Sequence, residues 1–325
     1  MVRGRHLTAL TAAVATVTSC GIDLPPIDPA EGSFAFGVFG DGPYYGIEVG
    51  RFRRTLADVN ASNITFFLHV GDIFWYPCSD KKYLSVRDAL GGLSMPVVYT
   101  PGDNEWTDCH EGRPGGYDPL DRLAAIRKIF FADTILNDAS RLGLRSQAAD
   151  SQWSTFVENQ QWEIGGIVFG TIHVVGSDNA LEDFQGRTIA NDREVEAREA
   201  AGLAWIDATF AEAQARNAHA VILAIHGDPD FEGRWQSDAA FGRLKTRLAK
   251  LAMRWVKPVL FVHGDNHELT VDRPLVDPSS KDTVWNVTRL ETMGSPDIGW
   301  IRVVVDTNGP DLFSFEPRHM GRAWW

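Results

Sequence analysis

A chain of 325 residues with 44% apolar content can bury a large core, as one big domain or two ordinary ones. Charged residues at 23% and 11 tryptophans exclude an intrinsically disordered chain, and a formal net charge of -12 argues against a polyanion such as DNA as partner. A small phosphorylated substrate stays open, because a bound metal reverses the local sign of the field.

The first residues read as a targeting segment. Arg3 and Arg5 lie in a short basic region, Leu7 to Val17 is apolar or small, and Val17-Thr18-Ser19-Cys20 follows. The apolar stretch is too short to span a bilayer as a mature helix. Cys20 at this point resembles the acylated cysteine of a bacterial lipobox. The expectation is a lipoprotein signal peptide over 1–19, lipidation at Cys20, and export to the bacterial cell envelope with the membrane touched only through the lipid; an ordinary secretory signal is the alternative. Residues 20–32 carry three prolines and no periodic pattern and read as a tether. From Ser33 to the end no repeat or second linker interrupts the chain, so 33–325 reads as one domain.

Strands and helices then alternate. Phe34 to Phe39 is a strand closed by Gly40-Asp41, and Ile47 to Val59 is an amphipathic helix. Thr65 to Val70 is a strand closed by Gly71-Asp72, a helical pattern surrounds Tyr83 to Leu90, and Pro96 to Thr100 is a strand closed by Gly102-Asp103. The intervals from Asp41 to Asp72 and from Asp72 to Asp103 are equal, each the length of a strand-helix-strand unit, roughly 30 residues. Right-handed crossovers place all three aspartates beyond the carboxyl ends of parallel strands, where α/β ligands bind. Further on, Glu194 to Arg216 and Ala239 to Trp255 read as helices. Val221 to Ile225 is a strand ending at His226, and Pro258 to Val262 one ending in His263-Gly264-Asp265-Asn266-His267. The tail is strand-like without helices, which gives a mixed sheet that begins parallel and ends antiparallel. Cys78 and Cys109 follow Asp72 and Asp103 at the same interval. If the two turns are neighbours, a disulfide staples them in an oxidising compartment; two buried thiols are the alternative.

One Gly-Asp turn means little, since such turns close strands everywhere. Five strand ends in order, carrying Asp41, Asp72, Asp103-Asn104, His226 and Asp265-x-His267, mean more. Carboxylates and imidazoles converging on one sheet edge need a cation to offset their repulsion.

This order resembles the calcineurin-like metallophosphoesterases, which carry Asp-x-His, Gly-Asp, Gly-Asn-His-Glu/Asp, a lone His and Gly-His-x-His. The resemblance runs from about Ser33 to His267 and implies a four-layer αββα sandwich of mixed sheets. It also implies two divalent metal ions, with Mn, Fe, Mg, Ca and Zn as candidates. Asp41 and His267 would hold the first, Asp72 would bridge, and Asp103, His226 and Asp265 would hold the second, with Asn104 the alternative to Asp103. The implied reaction is hydrolysis of a phosphate mono- or diester by a hydroxide set between the metals. A non-catalytic lipoprotein of this fold, binding a phosphorylated or glycan ligand, is the second reading.

The departures are specific. Pro43 stands where the family has the His of Asp-x-His, Asn104 where it has the His that serves the leaving group, and Asp265 where it has the first His of Gly-His-x-His. With Asp103 standing where the family has its amide ligand, both changes at the second metal, Asp103 and Asp265, put an anionic oxygen in place of a neutral ligand. That makes a harder site, better suited to Mn²⁺, Mg²⁺, Ca²⁺ or Fe than an all-histidine Zn centre. Asn104 cannot donate a proton to the leaving group, so Glu105, His110 and His263 are the substitutes to consider. His69 and His173 read as core residues. Tyr44, Tyr45, Trp75 and Trp106 read either as core or as an aromatic wall for a base, sugar or aryl group.

Overall fold

The computed structural model describes residues 32–131, 136–233 and 237–322. The signal peptide, Cys20 and nearly all of the tether lie outside the described residues.

Two sheets lie face to face. One has five strands in the order β12-β11-β1-β2-β3, the other seven in the order β4-β5-β6-β7-β8-β10-β9, where β1 is Ser33–Phe39, β2 Phe67–His69, β3 Val97–Tyr99, β4 Arg145–Ser146, β5 Gln160–Ile164, β6 Ile167–Thr171, β7 Ala220–Ala224, β8 Val259–His263, β9 Thr270–Asp272, β10 Val287–Glu291, β11 Asp297–Asp306 and β12 Phe313–Arg322. Strands β1, β2 and β3 run parallel, as do β6, β7, β8 and β10. The strand period of two sorts side chains between layers. Phe34, Phe36 and Val38 of β1 point into the space between the sheets, with Leu68, Phe169, Ile222, Leu260, Leu290 and Val303. Phe39 and Phe67 point outward beneath the helices α1 (Val49–Ala61), α2 (Asp80–Leu90) and α3 (Pro119–Phe130). The other sheet's outer face carries α4 (Ile189–Ala215) and α5 (Asp238–Trp255), packed through Trp205, Phe210, Phe241 and Leu248. Three apolar layers between four structural ones make an αββα sandwich, as the resemblance implied.

The tail departs from the sequence reading. It does not finish a single sheet with antiparallel strands: β9 and β10 join the seven-stranded sheet, with β10 parallel to β8, whereas β11 and β12 cross to the other. Strand β11 pairs antiparallel with β1, Phe36 facing Val303. Alternating hydrophobicity specifies a face and not a sheet, so the split was invisible in the pattern.

Candidate metal centre

All the parallel strands that carry motif residues end on the same side of the sandwich, and the turns that follow them converge. Asp41, Asp72 and His226 each bring a ligand atom to within 4.8 Å of one another, and so do Asp103, His226 and Asp265. Asp41 and His226 are 0% exposed, Asp72 3% and Asp103 7%.

Backbone geometry explains how so many polar groups fit. Asp41, Asp72, Asp265 and His267 have φ of 59°, 55°, 81° and 67°. This left-handed region costs non-glycine residues roughly 1–2 kcal/mol each. Four of the candidate ligands thus carry backbone strain, each in the turn that follows its strand. Glycines make room: a Cβ on Gly71 would sit 2.6 Å from the Gly102 amide nitrogen and 2.7 Å from His226 Nδ1, and one on Gly102 would sit 2.2 Å from Asp72 Oδ1.

Both histidines are oriented from behind. His226 Nδ1 donates to the Val70 carbonyl at 2.7 Å, which leaves Nε2 2.7 Å from Asp103 Oδ1, 3.3 Å from Asp72 Oδ1 and 3.8 Å from Asp265 Oδ1. His267 Nδ1 donates to the Ser295 carbonyl at 2.6 Å, and its Nε2 lies 3.8 Å from Asp41 Oδ1. A backbone carbonyl on one ring nitrogen with the other turned to carboxylates is the arrangement of a metal-ligating imidazole. Thr292 Oγ1 donates to Asp41 at 3.0 Å, and the Asp265 amide does the same at 3.0 Å. The Asn104 amide N–H donates to Asp72 Oδ1 at 3.1 Å, and the Asn104 side chain reaches Asp72 Oδ2. Asp103 and Asn104 thus both enter the cleft: Asp103 meets His226, Asn104 meets Asp72.

The donor set fits cations. Four carboxylates and two imidazoles converge, and no Lys or Arg lines the cleft among the described residues. Burial, then the Asp103 charge, push the carboxyls of Asp72 and Asp265 well above the usual range. Burial lowers His226, but Asp72 and Asp103 outweigh it and hold the imidazole well above its ordinary value. A divalent cation supplies the missing positive charge without a proton.

Three residues considered as proton donors stand elsewhere. Glu105 is 0% exposed and faces away from the cleft, accepting from the amides of Ile73 at 2.9 Å and Gly102 at 3.1 Å and from the Tyr99 hydroxyl at 3.0 Å. It pins the second and third turns to each other. His110 bonds the Thr107 carbonyl at 2.7 Å and stacks on Phe184, lining a separate small cavity. His263 is fully buried, and burial holds it down to about 3, so it stays neutral. Being near a motif in sequence did not place these groups in the cleft.

Sequence reasoning undervalued Tyr44. Its hydroxyl donates to Asp72 Oδ2 and lies 3.2 Å from His267 Nε2, so the phenol enters the cleft beside two candidate ligands. Glu48 was missed altogether. It accepts from the amides of Tyr44 at 2.8 Å and Tyr45 at 3.2 Å and from the Ser295 hydroxyl at 2.7 Å, so it ties the first turn to the loop that orients His267. Ser177 was missed too. It opens a left-handed turn, with Ser177, Asp178, Asn179 and Ala180 all at φ between 50° and 65°, and its hydroxyl lies 3.1 Å from Asp103 Oδ2 and 2.6 Å from Asp108 Oδ1. Trp106 is not part of the wall: it is buried against His173 and Arg198. The cysteines do pair. Cys78 and Cys109 form a disulfide with Cα atoms 5.8 Å apart, joining the segments that follow Asp72 and Asp103.

No family model and no curated protein matches the chain. Among solved structures it is similar to a dimetal phosphatase from Danio rerio, with 13% identity over 90% of this chain and 98% of that one and a TM-score of 0.56. It is also similar to a phosphatase from Mycoplasma pneumoniae, with 10% identity over 89% and 94% and a TM-score of 0.45. The first likeness covers nearly all of both chains and shows a shared fold.

Proposed function

We propose that this protein is a metal-dependent phosphoesterase acting on a phosphate mono- or diester in the cleft lined by Tyr44, Tyr45, Asp72, Trp75, Asp103 and His267. The observation that carries the reading is the position of His226, whose Nε2 is aimed into three carboxylates by a backbone bond on Nδ1. Asp41 and His267 would hold one ion, Asp103, His226 and Asp265 the other, and Asp72 lies between both groups. Two bound divalent cations would supply a water of lowered pKa and neutralise phosphoryl oxygens. The chain's own residues orient and exclude: Thr292 and the Asp265 amide fix Asp41, Asn104 fixes Asp72, and Glu48 fixes the Tyr44 loop.

None of the three donors considered replaces the imidazole that would protonate a leaving group. Glu105, His110 and His263 do not line the cleft, and the Asn104 amide has no transferable proton. Losing a general acid costs roughly 10²–10⁴ in rate, least where the leaving group is stable as an anion. Esters with good leaving groups are therefore the favoured substrates. The same observation supports a second reading, a non-catalytic binding protein for a phosphorylated or glycan ligand.

Export and lipid anchoring through Cys20 belong to the proposal, with a small phosphorylated molecule as partner. No helix among the described residues is long and apolar enough to cross a membrane.

The test is hydrolysis of an aryl phosphate monoester and diester with and without Mn²⁺, beside Asp72→Asn. Metal-dependent turnover lost in the variant supports the phosphoesterase. A folded protein that binds metal yet turns over neither ester with any divalent ion moves the balance to the binding protein.

A further inference from the structure

The cleft has two unlike halves. Its floor is anionic, made by Asp72, Asp103 and Asp265, and its volume of about 500 Å³ exceeds what a phosphoryl group needs. Its wall is aromatic. Tyr45 and Trp75 line the same space as the carboxylates, both half-buried, their rings edge to face with centroids 5.5 Å apart.

The indole is braced from outside the cleft. Tyr76 packs edge to face on Trp75 at 5.3 Å, and the Arg113 guanidinium lies 4.6 Å from the Trp75 ring and 4.5 Å from the Tyr76 ring. Neither Tyr76 nor Arg113 lines the cleft. Arg113 also donates to the Tyr76 hydroxyl at 3.0 Å. The Tyr45 backbone is set from the other side by the hydrogen bond its N–H donates to Glu48 Oε2 at 3.2 Å. Tyr44, by contrast, has its hydroxyl turned to Asp72 and His267 on the anionic side of the cleft. A wall held rigid before any ligand arrives loses little entropy when a flat group lies against it.

We infer that the substrate is the phosphate ester of a planar aromatic group, an aryl or nucleobase-bearing moiety that stacks on Trp75 and Tyr45 while its phosphoryl group sits over the aspartates. This rests on the phosphoesterase reading and narrows it. For an aryl ester it also fits the missing imidazole donor, because aryl oxides leave more readily than alkoxides; a nucleoside leaves through its sugar oxygen and gains only the stacking. Trp75 and Tyr45 are then specificity-determining residues and Arg113 a positioning residue.

Phosphonates separate recognition from leaving-group chemistry, since they are not hydrolysed. Binding of phenyl-, cyclohexyl- and methylphosphonate to the Mn²⁺-loaded protein would be measured by calorimetry, with Trp75→Ala, Trp75→Leu and Tyr45→Ala alongside. The expected result is a preference for phenyl- over methylphosphonate of about tenfold, lost in both Trp75 variants and reduced in Tyr45→Ala. Trp75→Leu keeps apolar bulk, so it guards against simple collapse of the wall. Equal affinity for phenyl- and methylphosphonate overturns the inference, as does a preference that survives in Trp75→Leu. Cyclohexylphosphonate binding as tightly as phenylphosphonate overturns it too, leaving an apolar wall with no taste for flat rings. If the metal-loaded protein binds none of the three, the phosphoesterase reading itself falls, and this inference falls with it.

Discussion

Val70 and His226, far apart in sequence, are joined by a hydrogen bond of 2.7 Å from the imidazole Nδ1 to the strand carbonyl. Val70 directly precedes Gly71-Asp72, so one short segment supplies both a candidate ligand and the acceptor that aims another. His226 takes part in both ligand groups. Replacing it by Asn removes the imidazole assigned to the ion at Asp103 and Asp265, and the expected outcome is loss of at least that ion per chain and at least about 10²-fold in metal-dependent rate. Elemental analysis after gel filtration, compared with the unaltered protein, checks the first part directly.

Asp72→Asn is expected to have opposite effects with and without metal. In the metal-free protein the Asp72 carboxyl is held well above its ordinary range, chiefly by burial and then by Asp103. The folded state therefore keeps a proton that the unfolded chain releases, and this contribution to stability is lost as pH rises through the folded pKa. A neutral amide escapes that loss, so the variant in EDTA should melt above the unaltered protein at pH 8. With metal the order reverses. Ions at a hundred times their Kd stabilise a folded chain by about 2.7 kcal/mol, and the variant should lose most of that gain. Melting curves at two pH values with EDTA or Mn²⁺ test both signs, and a variant that melts lower in every condition would contradict the charge argument.

Much of this was legible because backbone topology imposes regular spacing. The equal intervals between Asp41, Asp72 and Asp103 reflect successive strand-helix-strand units, and the strand-end rule then gives their convergence. The region between Trp106 and Thr188 was less legible. The hairpin of β5 and β6 turns at Gly165-Gly166, a signal that could have been read. The left-handed turn from Ser177 to Ala180 has no sequence signature, because Ser-Asp-Asn-Ala carries no glycine at the strained positions. Side-chain direction was least legible of all. Glu105 and Asn104 are adjacent, yet one enters the cleft and the other faces the core, and only the backbone path of the turn separates them.

The disulfide predicts a stability change with little change in chemistry at the cleft floor. Cys78 and Cys109 are 31 residues apart in sequence and both fully buried. A loop of that size implies about 3–4 kcal/mol from the restricted unfolded chain. The double variant Cys78→Ser with Cys109→Ser should show that loss in urea unfolding. It should still bind metal, because neither sulfur is among the candidate ligands. A variant that folds but no longer binds metal would instead show that the bridge is needed to hold the Asp72 and Asp103 turns together.

Acid sensitivity should trace to Glu158, away from the cleft. Its side chain is fully buried, with Arg127 Nη2 at 2.6 Å and His173 Nδ1 at 2.8 Å. Burial alone would raise its pKa, but the bonds and charges of His173 and Arg127 outweigh it and hold the carboxyl down to about 2. The unfolded chain titrates near 4.3. An acid depressed in the folded state contributes stability that is present above the unfolded value and is lost as pH falls through the folded one. A difference of about two units corresponds to about 3 kcal/mol. Unfolding free energy should therefore fall by roughly that amount between pH 5 and pH 2 on account of this group alone. In Glu158→Gln the same limb should flatten, and the variant should already be less stable at pH 7, because Arg127 loses its counter-charge and His173 its charged acceptor. An acid limb as steep in Glu158→Gln as in the unaltered chain would assign the sensitivity to another carboxyl held low in the fold, Asp103 beside His226 first among them.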